Sequence, residues 1–95
     1  MTSMEDRLLY RIRVTGKVQG VGFRWNAANQ ARNIGIGGMV RNLYDGSVYI
    51  EAEGTNDQLR SYLEWCRKGP SFSRVDDVNV EKGPPTGYSD FRIEH

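Results

Sequence analysis

Apolar and polar residues alternate through Tyr10, Ile12 and Val14, a period of two that predicts a strand over Leu8–Val14. The period then changes. Phe23, Ala27, Ala31 and Ile34 recur at helical spacing and predict a first helix, which Gly35, Gly37 and Gly38 bring to an end. Two strand-like runs follow, Met39–Leu43 and Ser47–Glu53; Val48, Ile50 and Ala52 share one face, and Tyr44, Asp45 and Gly46 read as the hairpin turn between them. Gly54 and Thr55 open a second helix, with Thr55 and Gln58 spaced as a capping box and an apolar stripe of Leu59, Tyr62, Leu63 and Cys66. Gly69 and Pro70 close it. Val78 and Val80 mark a fourth strand, and Phe91 with Ile93 a short last one beyond the breakers Gly83, Pro84, Pro85 and Gly87. Met1–Asp6 read as a flexible tail.

Strand, helix, strand, strand, helix, strand, with a small strand appended, is an α+β order. It is the split βαβ or ferredoxin-like sandwich (βαββαβ), with two helices on one face of a mostly antiparallel sheet. No linker, low-complexity tract or short repeat interrupts residues 1–95, so a single domain is expected. The plan alone assigns no activity.

Chemistry enters with the segment that joins the first strand to the first helix: Gly16, Lys17, Val18, Gln19, Gly20, Val21, Gly22, Phe23 and Arg24. Glycines at 16, 20 and 22 allow sharp turns that bring backbone N–H groups close to a ligand, and the unpaired donors of a helix start add partial positive charge. Arg24 adds a forked, permanent cation. Such a loop suits a phosphate or a carboxylate. The same glycines also suit a bare tight connection, and an arginine in a first helical turn is commonly solvated, so the loop by itself leaves both readings open. It meets no nucleotide fingerprint, since Trp25 stands three after Gly22 and Val18 follows Lys17.

The charge balance sharpens this. With 13 basic and 12 acidic residues the net charge is +1, which gives no general attraction for nucleic acid or an anionic membrane, so an anion must be drawn by a few placed groups. A single cysteine, Cys66, excludes an intramolecular disulfide, and no apolar run is long enough for a signal peptide or a membrane span. A cytoplasmic monomer is the expectation. The lone histidine, His95, is the last residue and is read as a fraying end. No metal site and no cofactor are expected.

Gly16–Arg24, then Gly35–Asn42 ending in Val-Arg-Asn, then Asp45, Gly46 and Ser47, and finally Cys66–Pro70 together resemble the acylphosphatase family. The resemblance spans nearly the whole chain. It implies hydrolysis of acyl phosphates to a carboxylate and inorganic phosphate, with Gln19, Gly20, Val21, Gly22, Phe23 and Arg24 as the phosphate-binding loop. It further implies that Arg24 binds the phosphoryl group and that Asn42 positions the attacking water. The departures are Met39, where the family often has tryptophan, and Gly22, where some members carry an aromatic; both bear on packing and acyl-group contacts. The chemistry needs little more, because the leaving group is a carboxylate whose acid has a pKa of about 4 and requires no general acid. What remains is to hold phosphoryl oxygens and to place one water in line.

Plainer readings fit the other candidates. Cys66 lies on an apolar stripe and reads as a buried structural thiol. Asp76 and Asp77 are adjacent, hence on opposite faces of a strand and unsuited to act as a pair. Trp25 and Trp65 read as packing residues at a core edge, with Trp25 near enough to the loop to touch an acyl group. Asn42 without the family likeness would be a residue leading into the turn. An RNA-binding module is disfavoured because Ser47–Glu53 offers only Tyr49 for stacking. The alternative function is a non-catalytic phosphate-binding or regulatory domain.

Overall fold

The alternation that includes Tyr10 produces a strand longer than expected: in the computed structural model, which describes residues 6–95, β1 runs from Arg7 to Lys17. Met1–Glu5, all but the end of the expected tail, lie outside the described residues. The remaining elements are α1 (Phe23–Ile34), β2 (Gly37–Asn42), β3 (Val48–Thr55), α2 (Asn56–Lys68), β4 (Arg74–Gly83) and β5 (Phe91–Ile93). The sheet order is β4-β1-β3-β2-β5, antiparallel except where β5 joins β2 in parallel.

Several boundaries move, and glycine is the reason. Gly16 does not turn the loop; it lies in β1 at a bulge against β4, with φ +128°. A Cβ there would overlap the carbonyl oxygen of Arg74, so this glycine serves the close approach of two strands. Gly37 and Gly38 begin β2 instead of ending α1, which stops at Gly35. Gly54 and Thr55 finish β3, and Thr55 caps α2 through the expected capping box with Gln58.

One face of the sheet carries the core. Tyr10, Ile12 and Val14 of β1, Val40 of β2 and Val48, Ile50 and Ala52 of β3 are buried against Ala27, Ala28 and Ala31 of α1 and Leu59, Tyr62 and Cys66 of α2. Alanines on α1 let that helix lie close to the strands. The Tyr62 hydroxyl donates to the Ala27 carbonyl at 3.0 Å, giving a buried polar group its partner and locking the helices together. Burial pushes the Cys66 thiol well above its usual range, as befits a structural residue.

The second face is crossed by residues 84–90, which run from β4 at one edge to β5 at the other. Four strand spacings are roughly 19 Å, and the eight steps from Gly83 to Phe91 reach about 26–29 Å when extended, so the segment is long enough to cross the whole sheet with little slack for other structure. Its backbone N–H groups at Thr86 and Gly87 donate to the buried Glu53 carboxylate at 2.7 and 3.0 Å, and the Tyr88 hydroxyl donates to Glu51 at 2.6 Å. The crossing delivers β5, and with it Glu94 and His95, to the N-terminal end of α1.

Candidate active site

With β1 continuing to Lys17, the connection to α1 shortens to Val18–Gly22. It ends on Gly22, the N-cap of α1, whose left-handed conformation (φ 78°, ψ 18°) starts the helix with no side-chain cap and no acid in the first turn. Among the described residues, none of the backbone N–H groups from Gly20 to Arg24 donates to a protein acceptor; the first to do so is Asn26, to the Gly22 carbonyl at 3.1 Å. A helix start normally has such orphan donors satisfied by a cap or water. Here they border a cavity of about 240 Å³ lined by Val18, Gly20, Gly22, Phe23, Arg24, Trp25, Asn42, Ile93 and His95.

The structure thus brings Gly20, Gly22, Phe23, Arg24 and Asn42 together at one cavity. Phe23 has two duties, since its ring is buried in the core and packs 5.4 Å from Trp65 while its backbone opens the helix. Gln19 and Val21 belong to the same loop but do not line the cavity. Gln19 turns away to the β2–β3 connection, where its Nε2 donates to the carbonyls of Leu43 at 2.7 Å and Ser47 at 2.8 Å.

Arg24 is held on one side. Its Nη1 donates to the Glu94 carbonyl at 2.9 Å and lies 3.5 Å from His95 Nδ1, while Nε and Nη2 have no partner among the described residues. That leaves an adjacent pair of donors with fixed geometry, the arrangement that grips two oxygens of one phosphoryl group.

Asn42 closes β2, and among the described residues its side chain has no hydrogen-bond partner; the Oδ1 is buried and unpartnered. The turn-leading role fails on this point, because Asp45 holds the turn instead, accepting from the Ser47 backbone N–H at 3.0 Å and from the Ser47 hydroxyl. These two donors, with Arg13 paired beside them, hold the Asp45 carboxyl down at about 2. A buried acceptor left without a partner costs on the order of 1–3 kcal/mol.

Two cavity residues, Ile93 and His95, and one neighbour of Arg24, Glu94, carry no functional signal in the sequence. Glu94 acts through its backbone carbonyl, which no side-chain pattern reveals, and Ile93 was read only as strand. His95 is no idle end, since its ring lines the cavity beside Arg24. Trp25 is 63% exposed and borders the same cavity, so it is not a packing residue, whereas Trp65 does pack, stacked on Tyr62. Asp76 is the extra residue of the β4 bulge and pairs with Arg74 at 2.9 Å. A larger concavity of about 790 Å³ lies near the other end of α1. Arg7 pairs there with Glu53, Arg92 lies 3.7 Å from Asp90, and Arg32 donates to the Phe91 carbonyl, so this concavity carries two carboxylate side chains where the cavity at the start of α1 has none in its lining.

The acylphosphatase family model matches residues 10–93, from the middle of β1 to the end of β5. The chain belongs to the acylphosphatase family. A relative named acylphosphatase from Thermotoga petrophila is 47% identical over 85 residues, covering 90% of this chain and 94% of its own. Among solved structures, an acylphosphatase from Coxiella burnetii superposes with a TM-score of 0.93 at 36% identity, over 99% of this chain and 100% of that one. One from Bacillus subtilis gives 0.90 at 40% identity, over 93% and 99%. Membership in this family turns the uncapped helix start from a structural oddity into a candidate phosphoryl site.

Proposed function

We propose that the N–H groups of Gly20–Arg24 and the free Nε and Nη2 of Arg24 hold the phosphoryl group of an acyl phosphate while Asn42 places the attacking water. Hydrolysis of acyl phosphates to a carboxylate and inorganic phosphate is the activity. Water oxygen bonds to phosphorus, the bond from phosphorus to the acyl oxygen breaks, and the electron pair leaves with the carboxylate. A phosphoryl oxygen takes the water's proton. The donors meet the charge that shifts over the phosphoryl oxygens, and they are fixed before reaction. The observation that carries this reading is the meeting, at one cavity, of Asn42 at the end of β2 with Arg24 and the unpartnered N–H groups of the α1 start.

No metal takes part in this scheme. Among the described residues no three His, Cys, Asp or Glu side chains lie together as metal ligands, and a carboxylate leaving group does not demand a Lewis acid. EDTA should therefore leave turnover intact, and recovery of lost activity on adding a divalent ion would contradict the scheme. We also assign the working form as a cytoplasmic monomer of one domain; no helix among the described residues is long and apolar enough to cross a membrane.

The test compares Arg24→Lys with Asn42→Ala. Lysine keeps the charge but loses the planar fork, so both inorganic phosphate affinity and turnover should fall. Removing the Asn42 amide should cut kcat on the order of 10²- to 10³-fold while phosphate still inhibits competitively at nearly its original constant. An Asn42→Ala protein with normal kcat and a lower melting temperature would remove Asn42 from the mechanism. Comparable rates on an acyl phosphate and an alkyl phosphate ester would remove the mechanism itself, since the scheme relies on a carboxylate leaving group that needs no general acid.

A further inference from the structure

We propose that Gln19 is a positioning residue, whose side-chain amide fixes the separation between the phosphoryl cradle and the Asn42 amide. The inference rests on the roles given above to the loop and Asn42. Gln19 Nε2 uses both its hydrogens, one on the Leu43 carbonyl at 2.7 Å and one on the Ser47 carbonyl at 2.8 Å. Leu43 follows Asn42 directly in the chain. Among the described residues no other hydrogen bond joins Val18–Gly22 to this connection. A planar amide held by two acceptors is fixed in both position and plane.

The hairpin does not give up its own bonds for this tie. The Ser47 carbonyl already accepts from the Leu43 N–H at 2.9 Å and the Leu43 carbonyl from the Gly46 N–H at 3.2 Å, so Gln19 occupies second lone pairs. Arg13 braces the other side of the turn, donating to the Ser47 hydroxyl at 3.2 Å and pairing with Asp45. A side-chain tie has a further consequence. Had the loop been fastened by its backbone, each bond would have consumed an N–H that the cradle needs; fastened through Gln19, the donors of Gly20–Arg24 stay free. In-line attack tolerates little error, and a misplacement of about 1 Å can lower a rate roughly 10²-fold.

A double-mutant cycle decides the matter. Gln19→Met keeps the length of the side chain and removes both donors; it should lower kcat by about 10- to 10²-fold while the inhibition constant for inorganic phosphate changes far less. Gln19→Asn, too short to span both carbonyls, should fall between it and the parent, and provides the same reading if the methionine variant does not fold. Because Gln19 acts through Asn42, adding Gln19→Met to Asn42→Ala should lower kcat little further. Equal losses in the two backgrounds, or a lower melting temperature with unchanged kcat, would reduce Gln19 to a structural residue and leave the assignment of Asn42 standing. Normal kcat in Asn42→Ala alone would overturn both.

Discussion

The two helices begin in opposite ways. At α2 every means of closing a helix start is present: Thr55 Oγ1 accepts from the Gln58 N–H at 3.2 Å, Gln58 Oε1 accepts from the Thr55 N–H at 2.9 Å, and Asp57 adds a negative charge to the first turn. At α1 there is a glycine in place of the cap, no acid in the first turn and an arginine as its second residue. A third set of backbone donors, at Thr86 and Gly87, is filled by the Glu53 carboxylate. Among the described residues, two of these sets of N–H groups are thus satisfied from within the protein and the set at the start of α1 is not. The magnitudes explain why this is tolerable. Omitting a cap forgoes about 1 kcal/mol of stability, whereas a fixed donor aimed at a transition state contributes about 3–4 kcal/mol to its stabilisation. On the proposed reading, an open helix start is a small structural loss for a larger catalytic gain.

Closing α1 should have the largest effect. Gly22→Asp places a carboxylate at the cradle, where a unit charge about 4 Å from the phosphoryl group opposes it by about 4 kcal/mol at an effective dielectric of 20. We expect kcat/KM to fall at least about 10²-fold relative to Gly22→Asn, which has the same shape and backbone strain but no charge. Equal activity in the two variants would show that strain, not charge, governs the site, and would break the comparison.

Next comes the donor set filled by Glu53. Burial alone would raise its carboxyl pKa, but the N–H groups of the segment above it more than offset this and hold it below the usual 4.5. A folded-state pKa below the unfolded one means that the stabilisation is complete above about pH 4.5 and is lost as pH falls through the lower, folded value. Glu53→Gln should cost about 2 kcal/mol at neutral pH and flatten the acid limb of stability. Urea midpoints of both proteins across that range check it; parallel acid limbs would contradict the role given to the charge.

The smallest effect belongs to α2. Thr55→Ala should cost about 1 kcal/mol and roughly 4–8 °C in Tm, with kcat per folded molecule unchanged. Differential scanning calorimetry beside steady-state kinetics measures both. A fall in kcat without a fall in Tm would mean that the two helix starts are not separate in purpose.

Legibility in the sequence followed the range of the interactions. The capping box of α2, the Asp45–Gly46 turn and the stripe of α1 are set by residues a few positions apart, and they could be read directly. Arg24 and Asn42 became legible as a pair only through family resemblance, because nothing local says that the end of β2 meets the start of α1. Gly16 was misread for a similar reason: the strand that demands its missing side chain is β4, about sixty residues on. Gln19 was read as a member of the loop because it sits in the loop, while its acceptors lie 24 and 28 residues away. His95 looked like a free end until the crossing of residues 84–90 carried it to Arg24. Buried Glu53 was legible only as part of a strand, since its partners belong to that same crossing.

The contrast between an open and a closed helix start can be seen without turnover, by titrating inorganic phosphate into ¹⁵N-labelled protein and following every amide by NMR. Saturable shifts are expected at Gly20, Val21, Gly22, Phe23 and Arg24 and at the Asn42 side-chain amide, with Asn56, Asp57 and Gln58 at the start of α2 unmoved. Shifts centred on the larger concavity near Arg32 and Arg92, or none at the α1 start at concentrations that inhibit hydrolysis, would contradict it.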